Sequence, residues 1–450
     1  MTSLPAKACP VQCHLPPPTR PVRSTLISSE AVSATPSSNY PRRKQRKAIL
    51  EGTGLFAESA QNAAAWTSDL KLWLSELASR SGFETTGIAP VASPSPETTQ
   101  QPLDASRFEA WIAAGRAGEM DYLKRRNEQG VLLRSDVQIA MPWARSVIVC
   151  ALNYNVAAPL SIDQSEPATG WIARYAWSGR TGSTDTDDLI PTDYHDELLS
   201  RLKKIESHLH DRFPCQTSCY VDTGPLVERT AAAKAGIGWI GKNTCVLDQT
   251  LGSWLLLGVI VTSIPVSSEL DFELPADRCG SCTRCIDACP TDALVAPREM
   301  DASRCIAYLT IEKKGVIAEE LREPMGRQVF GCDICQDVCP WNRRAPTSQN
   351  EGMLPRKQLI NPPLAWLAEM DSATFKQWFK GSPLERTRLK RLHRNVAIAM
   401  GNSGETQFIP QLQQWSTAED PVLAESSQWA LARIHTLTTV PKRPATTSKD

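Results

Sequence analysis

The chain has 450 residues, with 49 Lys and Arg against 49 Asp and Glu, 41% apolar residues and 14 cysteines. This length is enough for two or three domains, each with its own core. The sequence has no run of about 18 uncharged apolar residues, so we predict no membrane-spanning helix. The balanced charge excludes a basic surface over the whole molecule, and any contact with nucleic acid must therefore be regional.

The cysteines are the most informative part of the composition. Eight of the 14 lie between Cys279 and Cys339, in groups spaced by two or three residues. A small disulfide-stabilised protein would instead be short and dense in cysteine throughout. Clustered thiols in a long chain indicate metal ligation in a reducing compartment, and we expect a cytoplasmic protein.

Both ends of the chain are predicted to be disordered, over residues 1–55 and 441–450. The first 50 residues contain eight prolines, one acidic residue and a basic run at 42–47, so they offer little surface to bury. A transit peptide is an alternative for such an Arg- and Ser-rich segment. A twin-arginine export signal is excluded because residues 48–52 do not begin an apolar stretch.

Periodic patterns predict the elements between residues 56 and 270. An apolar stripe from Trp66 through Leu72 to Leu77 indicates a first helix, and a second helix is predicted at 106–115. The apolar run 146–154 indicates a buried strand. A polar loop follows at 181–193, then helices at 194–210 and 226–235, a strand that ends at 221–222 and another at 254–264. This alternation predicts an α/β domain over 56–270.

The remaining segments complete a predicted α+β multidomain protein. Residues 271–345 carry the clustered cysteines and are expected to form a ferredoxin-like domain of their own. Residues 346–440 return to helical periodicity, with helices predicted at 363–370, 372–379, 392–400, 408–414 and 421–434. Short helices paired through loops are typical of HEAT repeats, so we expect a small HEAT-like unit rather than a solenoid.

Two cysteine runs indicate two iron–sulfur clusters. The run C-x2-C-x2-C-x3-C-P at 279–290 is the bacterial ferredoxin pattern, in which three thiolates bind one [4Fe–4S] cluster and the fourth binds another. A second run, C-x2-C-x3-C-P at 332–340, lacks a first cysteine, and Cys305 is the available replacement. A zinc site is less compatible, because it closes at four ligands. Interleaving predicts one set of Cys279, Cys282, Cys285 and Cys339, and a second set of Cys289, Cys305, Cys332 and Cys335.

Three short motifs imitate other sites. The G-x-G-x-x-G at 236–241 follows a helical segment instead of the strand that a dinucleotide fold requires, so we interpret it as a tight loop after a helix. Asp222-Thr-Gly resembles an aspartic protease tripeptide, but that chemistry needs two carboxylates. Asp193-x-His195 begins a cobalt-ligating D-x-H-x-x-G motif, but Leu198 replaces its glycine. No histidine ligand to cobalt is therefore inferred.

Longer segments carry a resemblance to one family. They are 118–125 (GEMDYLKR), 151–154 (ALNY), 174–176 (RYA), 193–195 (DYH), 221–225 (VDTGP), 228–229 (ER), 235–243 (AGIGWIGKN), 305–312 (CIAYLTIE) and 331–342 (GCDICQDVCPWN). With the ferredoxin cysteines, their order over about residues 60–435 resembles the epoxyqueuosine reductases. The first fifty residues and the loop before Asp193 depart from the family pattern.

The resemblance implies a function and its cofactors. The expected reaction removes the epoxide oxygen of epoxyqueuosine at the wobble position of tRNA and gives queuosine. The expected cofactors are a cobalamin held base-off in the domain at 56–270 and the two [4Fe–4S] clusters. The expected partners are tRNA that carries epoxyqueuosine in its anticodon loop and an unidentified low-potential electron donor. We expect a monomer with no membrane association.

The resemblance also implies roles for particular residues. Asp222 matches the general acid proposed for the family. A basic run at 386–394, with five positive charges in nine residues, lies in the helical unit that the resemblance associates with tRNA, and it suits phosphate contacts. The residues expected to contact or approach the cobalamin are Arg125, Asp222, Ala307, Glu312, Asp333 and Ile334.

Two other functions fit part of the pattern. A corrinoid iron–sulfur reductive dehalogenase combines the same cofactors, but such enzymes usually carry a twin-arginine signal and lack a basic helical C-terminus. A plain electron-transfer protein needs no substrate site, and it would leave the domain at 56–270 without a role.

Overall fold

The computed structural model describes residues 65–91, 103–182, 189–270 and 274–439. All of these residues belong to one compact unit that covers residues 61–450. The segments predicted to be disordered, 1–55 and 441–450, lie outside the described residues, as do residues 183–188 of the polar loop. No helix in the described ranges is long and apolar enough to span a membrane.

The described chain begins with a helix and a strand that pack together. Helix α1 (Ser68–Arg80) is capped by the side chain of Thr67 and leads into strand β1 (Thr85–Pro90). The elements that follow, up to residue 270, are α2 (Leu103–Ala113), α3 (Val137–Ala140), β2 (Ser146–Asn153), β3 (Trp171–Ile172), β4 (Ser178–Arg180), β5 (Ile190–Pro191), α4 (Tyr194–Arg212), β6 (Thr217–Tyr220), α5 (Glu228–Lys234), β7 (Trp239–Ile240), β8 (Val246–Leu247) and β9 (Leu255–Thr262).

A four-stranded sheet with the order β1-β2-β9-β6 forms the centre of this region. Every pair of neighbours in the sheet is antiparallel. The predicted alternation of helices and strands is confirmed, but the sheet that the described strands form is antiparallel, whereas such alternation is typical of a parallel sheet. Helices α2 and α3 join β1 to β2, and α5 lies between β6 and β9, yet both pairs are antiparallel. A helix between two strands therefore does not predict the direction of their pairing here.

Helices cover both faces of the sheet. Alternate residues of β2 point to opposite faces, with Ile148 and Leu152 in one core and Val147 and Val149 in the other. Burial on both faces explains why this strand is a continuous apolar run in the sequence. Helices α1 and α4 cover the first face, and α5 covers the second. The predicted stripe of α1 is wrong at Leu72, whose side chain is 63% exposed.

The cysteine-rich segment contains short elements only. They are α6 (Arg284–Asp287), β10 (Leu294–Ala296), β11 (Glu299–Met300), α7 (Ile306–Ile311), α8 (Glu319–Arg322), β12 (Gln328–Phe330) and α9 (Ile334–Asp337). Strands β10 and β11 form an antiparallel hairpin. Strand β12 instead pairs in parallel with β3, so this segment is tied to the first half of the chain.

The C-terminal region is helical, as its periodicity predicts. Its elements are β13 (Leu354–Pro355), α10 (Leu364–Ala368), α11 (Ser372–Phe379), α12 (Arg388–Ser403), α13 (Ile409–Trp415) and α14 (Pro421–Thr439). Helices α12 and α14 pack along each other, and a Cβ at Gly401 would lie 2.8 Å from the Cα of Ala430. The core of this region also includes Trp171 and Trp177 from the first half of the chain. The HEAT-like assignment stays a prediction.

Buried polar side chains of α12 join the helical region to the cysteine-rich segment. The guanidinium of Arg394 donates to the backbone carbonyls of Leu309 and Gly315, at 2.6 and 2.8 Å. The amide of Asn395 donates to the carbonyls of Thr310 and Val329, at 2.9 and 2.8 Å. Both side chains are almost completely buried. The prediction that the basic run suits phosphate contacts is therefore wrong for Arg394. Its guanidinium is buried, and backbone carbonyls inside the protein accept its hydrogen bonds.

Candidate functional site

The first thiol set lies in loops close to the protein surface. Cys279 and Cys282 are joined by a backbone hydrogen bond of 3.1 Å, and α6 begins just before Cys285. The ammonium of Lys242 donates to the carbonyls of Gly280 and Cys282 and holds this loop in place. Cys339, from the second cysteine run, packs in a small apolar cluster with Cys279. The structure therefore brings Cys339 to the first run, as the interleaved assignment expects.

The second thiol set lies deeper in the molecule. Cys305 immediately precedes α7, while Cys332 and Cys335 flank the start of α9. Burial raises the pKa of the Cys332 thiol well above its ordinary value, and the neighbouring Cys305 and Cys289 add to this shift. These four residues are thus close together although the chain separates them. The twelve cysteines of the described ranges are all free thiols.

Cys245 is a thiol that the spacing analysis did not single out. It forms a hydrogen bond with the Cys335 thiol, which lowers the pKa of Cys245 below its ordinary value. Asn243 orders this contact, since its amide accepts from the Cys245 backbone N–H at 3.2 Å and donates to the Cys335 carbonyl at 3.3 Å. Cys245 stands alone in the sequence, so no spacing signal marks it.

The glycine-rich motif at 236–241 positions this thiol. It follows α5, and Gly236 adopts a φ of 81° directly after the helix, which confirms the predicted tight loop. Strands β7 and β8 then form a short hairpin. A Cβ at Gly238 would lie 2.2 Å from the Leu247 carbonyl oxygen, so the hairpin requires glycine there. The hairpin carries Asn243 and Cys245 to the second thiol set.

A cavity of about 280 Å³ lies directly against the second thiol set. It is lined by the predicted residues Asp222, Ala307, Cys332 and Asp333, which come from three separate segments of the chain. Two wider grooves, of about 790 and 560 Å³, contain none of the predicted site residues. The other lining residues are Tyr154, Tyr175, Tyr194, Glu228, Arg229, Cys245, Val246, Ser253, Leu255, Leu256, Leu257 and Gln336.

Asp222 has an unusual backbone conformation. It lies two residues after β6 with a φ of 56°, in the left-handed region that non-glycine residues rarely adopt. The side chain is exposed to the cavity, and the Tyr194 hydroxyl donates to its Oδ2 at 3.4 Å. Strain of this kind is concentrated at functional sites, where the surrounding structure holds a side chain in a required direction.

Tyrosines form the wall beside Asp222. The rings of Tyr175 and Tyr194 meet edge to face, with centroids 5.7 Å apart. Burial raises the pKa of both phenols well above the ordinary value, so both stay protonated and can donate hydrogen bonds. His195 is engaged elsewhere, because its Nδ1 pairs with Asp193 at 2.7 Å. Sequence spacing did not single out Tyr175 or Tyr194 as cavity residues.

The other predicted cofactor contacts have different surroundings. The buried carboxylate of Asp333 accepts from the Trp171 indole at 3.1 Å and from the Arg174 backbone N–H at 2.7 Å. Burial raises the pKa of Asp333 to about 7. Glu312 forms an ion pair of 2.6 Å with Arg386. The structure does not bring Glu312, Arg125 or Ile334 to the cavity wall.

Four residues of the basic run remain at or near the surface. Arg386, Arg388 and Lys390 are exposed, and Arg391 is half-buried with its guanidinium bound to the Thr387 carbonyl. Arg386 also lies 6.0 Å from the ring centroid of Tyr122, beside its partner Glu312. The charge of Asp222 contributes to the raised pKa of Arg386, so the beginning of the run lies near the cavity.

Two thiol sets with ferredoxin spacing, one of them in contact with a cavity, define an iron–sulfur oxidoreductase. Residues 278–342 match the family model of a 4Fe-4S double cluster binding domain. Residues 134–223 match the model "Epoxyqueuosine reductase QueG, DUF1730".

Similar proteins extend this match over most of the chain. An epoxyqueuosine reductase of Vibrio cholerae is 36% identical over 380 residues, which is 84% of this chain and 94% of that protein. One of Escherichia coli is 34% identical over 81% of this chain and 88% of its own length. A crystal structure of epoxyqueuosine reductase with an epoxyqueuosine-modified tRNA-Tyr stem loop has a TM-score of 0.68 and 28% identity, and covers 81% of this chain and 90% of that one. The chain belongs to the epoxyqueuosine reductase family.

Proposed function

We propose that the chain reduces epoxyqueuosine in tRNA to queuosine, with electrons that pass through two [4Fe–4S] clusters to a base-off cobalamin. The observation that carries this proposal is that Asp222 and Cys332 line the same cavity. This arrangement supports a reaction site that combines a proton donor with an electron-delivering cluster ligand. The choice of epoxyqueuosine as the substrate rests on the similar proteins, which are epoxyqueuosine reductases. The solved complex with a modified stem loop supports tRNA as the carrier of this substrate.

The residues present fit both kinds of cofactor. The donor set of eight free thiols, in two neighbouring groups of four, is the ligation that two [4Fe–4S] clusters need. The cavity is lined by the leucines at 255–257, by three tyrosines and by polar residues such as Gln336. Such a lining suits contact with part of a macrocycle that has an apolar ring and amide side chains, since a whole corrinoid is larger than the cavity of about 280 Å³. Asp222, Ala307 and the backbone around Asp333 are the residues that would hold it.

The cavity residues supply protons and orientation. A reduced cobalt corrinoid bound there supplies the low-potential chemistry that no side chain possesses. Asp222 donates a proton to the departing epoxide oxygen, and its strained φ of 56° keeps the carboxyl directed into the cavity. The Tyr194 hydroxyl steadies that carboxyl through the 3.4 Å hydrogen bond. The tyrosines and leucines exclude water around the reacting ring.

The positions of the thiol sets suggest the direction of electron flow. The loop around Cys279 and Cys282 consists mainly of exposed residues, which makes this set accessible to an external electron donor. The set that includes Cys332 lies against the cavity. Electrons would therefore enter at the first set and leave from the second. Thiolates of this kind persist in a reducing compartment, so we place the reaction in the cytoplasm.

The tRNA would approach over the start of α12. The exposed charges of Arg388 and Lys390 suit phosphate groups, and Arg386 connects this surface to the cavity rim. An RNA-modifying enzyme takes the target base out of its stack, and a base read in a loop costs less to extrude than one in a duplex. We propose a monomer that binds one anticodon stem loop.

The test uses anaerobically reconstituted protein with cobalamin, a low-potential reductant and tRNA that carries epoxyqueuosine. Nucleosides from the digested tRNA are analysed by mass spectrometry for the loss of one oxygen atom. We expect queuosine to accumulate with the wild-type protein and not with a protein reconstituted without iron and sulfide. Absence of product from protein that holds both clusters and cobalamin would refute the proposed reaction.

A further inference from the structure

Glu228 is a second carboxyl in the cavity of Asp222. It is the first residue of α5 and lines the cavity together with Asp222. Its Oε1 is fully buried and has no hydrogen-bond partner within the described residues. An unpaired buried polar atom is costly and is rare in folded proteins. This oxygen therefore indicates a role toward a group that enters the cavity.

The surroundings of Glu228 favour its protonated form. Burial raises the pKa of Glu228 to about 7, and the negative charge of Asp222 adds to the shift. The backbone N–H of Glu228 and the charges of Arg134 and Arg229 oppose the shift, but the net change in the pKa is upward. A carboxyl with these neighbours carries a proton over the acid and neutral range and loses it as the pH rises through about 7. Such a carboxyl is matched to proton donation near neutral pH.

The stoichiometry of the reaction requires a second proton. Conversion of an epoxide to an alkene breaks both carbon–oxygen bonds of the ring and forms one carbon–carbon π bond. Two electrons and two protons are consumed, and the oxygen leaves as water. The clusters supply the two electrons, but Asp222, as a single acid, supplies only one of the two protons.

We propose that Glu228 is the second acid of the site, which gives its O–H proton to the departing oxygen after Asp222 has given the first. The oxygen then leaves as water, and both carboxylates take up protons from solvent before the next turnover. This inference rests on the proposed function. It adds a catalytic residue that lies on a different element from Asp222 and acts at a later step.

The test compares single-turnover rates of wild type, Glu228→Gln and Glu228→Asp between pH 5.5 and 9. We expect the wild-type rate to fall as the pH rises through about 7, since Glu228 then loses its proton. Glu228→Gln should be slower by about 10²-fold and should lack this decline. Glu228→Asp, which keeps an acid, should retain part of the rate and the decline. A matched control is Glu84→Gln, because burial also raises the pKa of Glu84 and this residue lies in a different groove.

A second readout does not depend on turnover. Infrared difference spectra of the protein between pH 5.5 and 8.5 should contain a protonated carboxyl band that Glu228→Gln removes and Glu84→Gln keeps. Wild-type rates and an unchanged pH profile in Glu228→Gln would overturn the inference and leave the proposed function intact. Loss of corrinoid from Glu228→Gln, seen in its visible spectrum, would also overturn it and assign the residue to cofactor binding. No product from the wild type would instead refute the proposed function.

Discussion

The two thiol sets have the same chemistry but different surroundings. The set with Cys279 and Cys282 lies in exposed loops, where Lys242 holds the backbone. The set with Cys332 and Cys335 lies between the cavity and the core of the cysteine-rich segment, and it has an extra thiol neighbour in Cys245. This difference supports the proposed direction of electron flow, in which electrons enter at the first set and leave from the second set toward the cavity.

The largest expected effect comes from breaking the cavity-side set. Cys332→Ser should lower the bound iron from about eight to about four atoms per chain and should abolish queuosine formation with any reductant. Iron analysis and nucleoside mass analysis check the two results. Cys282→Ser is the matched variant in the other set. It should lose the same amount of iron but keep partial activity with a small reductant that reaches the cavity directly. Equal loss of activity in both variants would contradict the proposed direction of electron flow.

The next largest effect is expected from a variant that removes the proposed proton donor and leaves the path of the electrons intact. Asp222→Asn should lower the single-turnover rate by about 10²–10⁴-fold, because the amide cannot supply the proton. Both clusters should remain, since Asp222 is not one of the eight proposed cluster ligands. The measurement combines rapid-quench product analysis with the visible spectrum of the clusters. A rate close to wild type would remove Asp222 from the mechanism.

A smaller effect is expected where the cysteine-rich segment meets α12. Asn395→Ala removes the two buried hydrogen bonds to the Thr310 and Val329 carbonyls, and it also removes the Oδ1 that accepts two hydrogen bonds from the Arg394 guanidinium. We expect the free energy of unfolding to fall by about 1–3 kcal/mol. Urea unfolding of the cluster-loaded protein under anaerobic conditions measures the change. Gln413→Ala, at an exposed position of α13, should have almost no effect. Equal stability of the two variants would show that this joint is unimportant.

The smallest effect concerns the surface charges. Lys390→Gln should weaken binding of an anticodon stem loop a few-fold and should lower the slope of log K against log salt by about 0.7–0.9. Fluorescence anisotropy at several salt concentrations gives both values. Lys376→Gln, on the exposed side of α11, should leave the slope unchanged. An identical slope in wild type and Lys390→Gln would place the tRNA on another surface.

Much of the fold follows from local patterns in the sequence. The predicted helix at 372–379 coincides with α11, and the buried strand at 146–154 agrees with β2 to within a residue. The periodicity could not show that the central sheet is antiparallel, because strand direction depends on how distant segments pair. Nor could it show that Arg394 is buried. In the sequence, an arginine that donates to buried backbone carbonyls cannot be distinguished from an arginine at the surface.

The candidate site, like the fold, could be predicted only in part from the sequence. Thiol ligands of a cluster must be close in space, and short spacings in the chain reveal them. The cavity draws one to three residues from each of several segments between 154 and 336, so spacing alone marks neither Cys245 nor the two residues Tyr175 and Glu228, which appear only within segments that carry the family resemblance. Asp222 could be singled out only through the family resemblance. The positive φ that sets it apart physically is visible only in the structure.

The most direct test of the account follows electrons and product in the same sample. Protein with bound cobalamin is reduced under anaerobic conditions, freed of excess reductant and mixed with a stem loop that carries epoxyqueuosine. The cluster signals are then followed by electron paramagnetic resonance, and the nucleosides are analysed in the same sample. The account predicts that the reduced-cluster signals disappear as queuosine forms, and that in Asp222→Asn both changes become slow together. Queuosine formation while both clusters stay reduced, or cluster oxidation without loss of the epoxide oxygen, would contradict it.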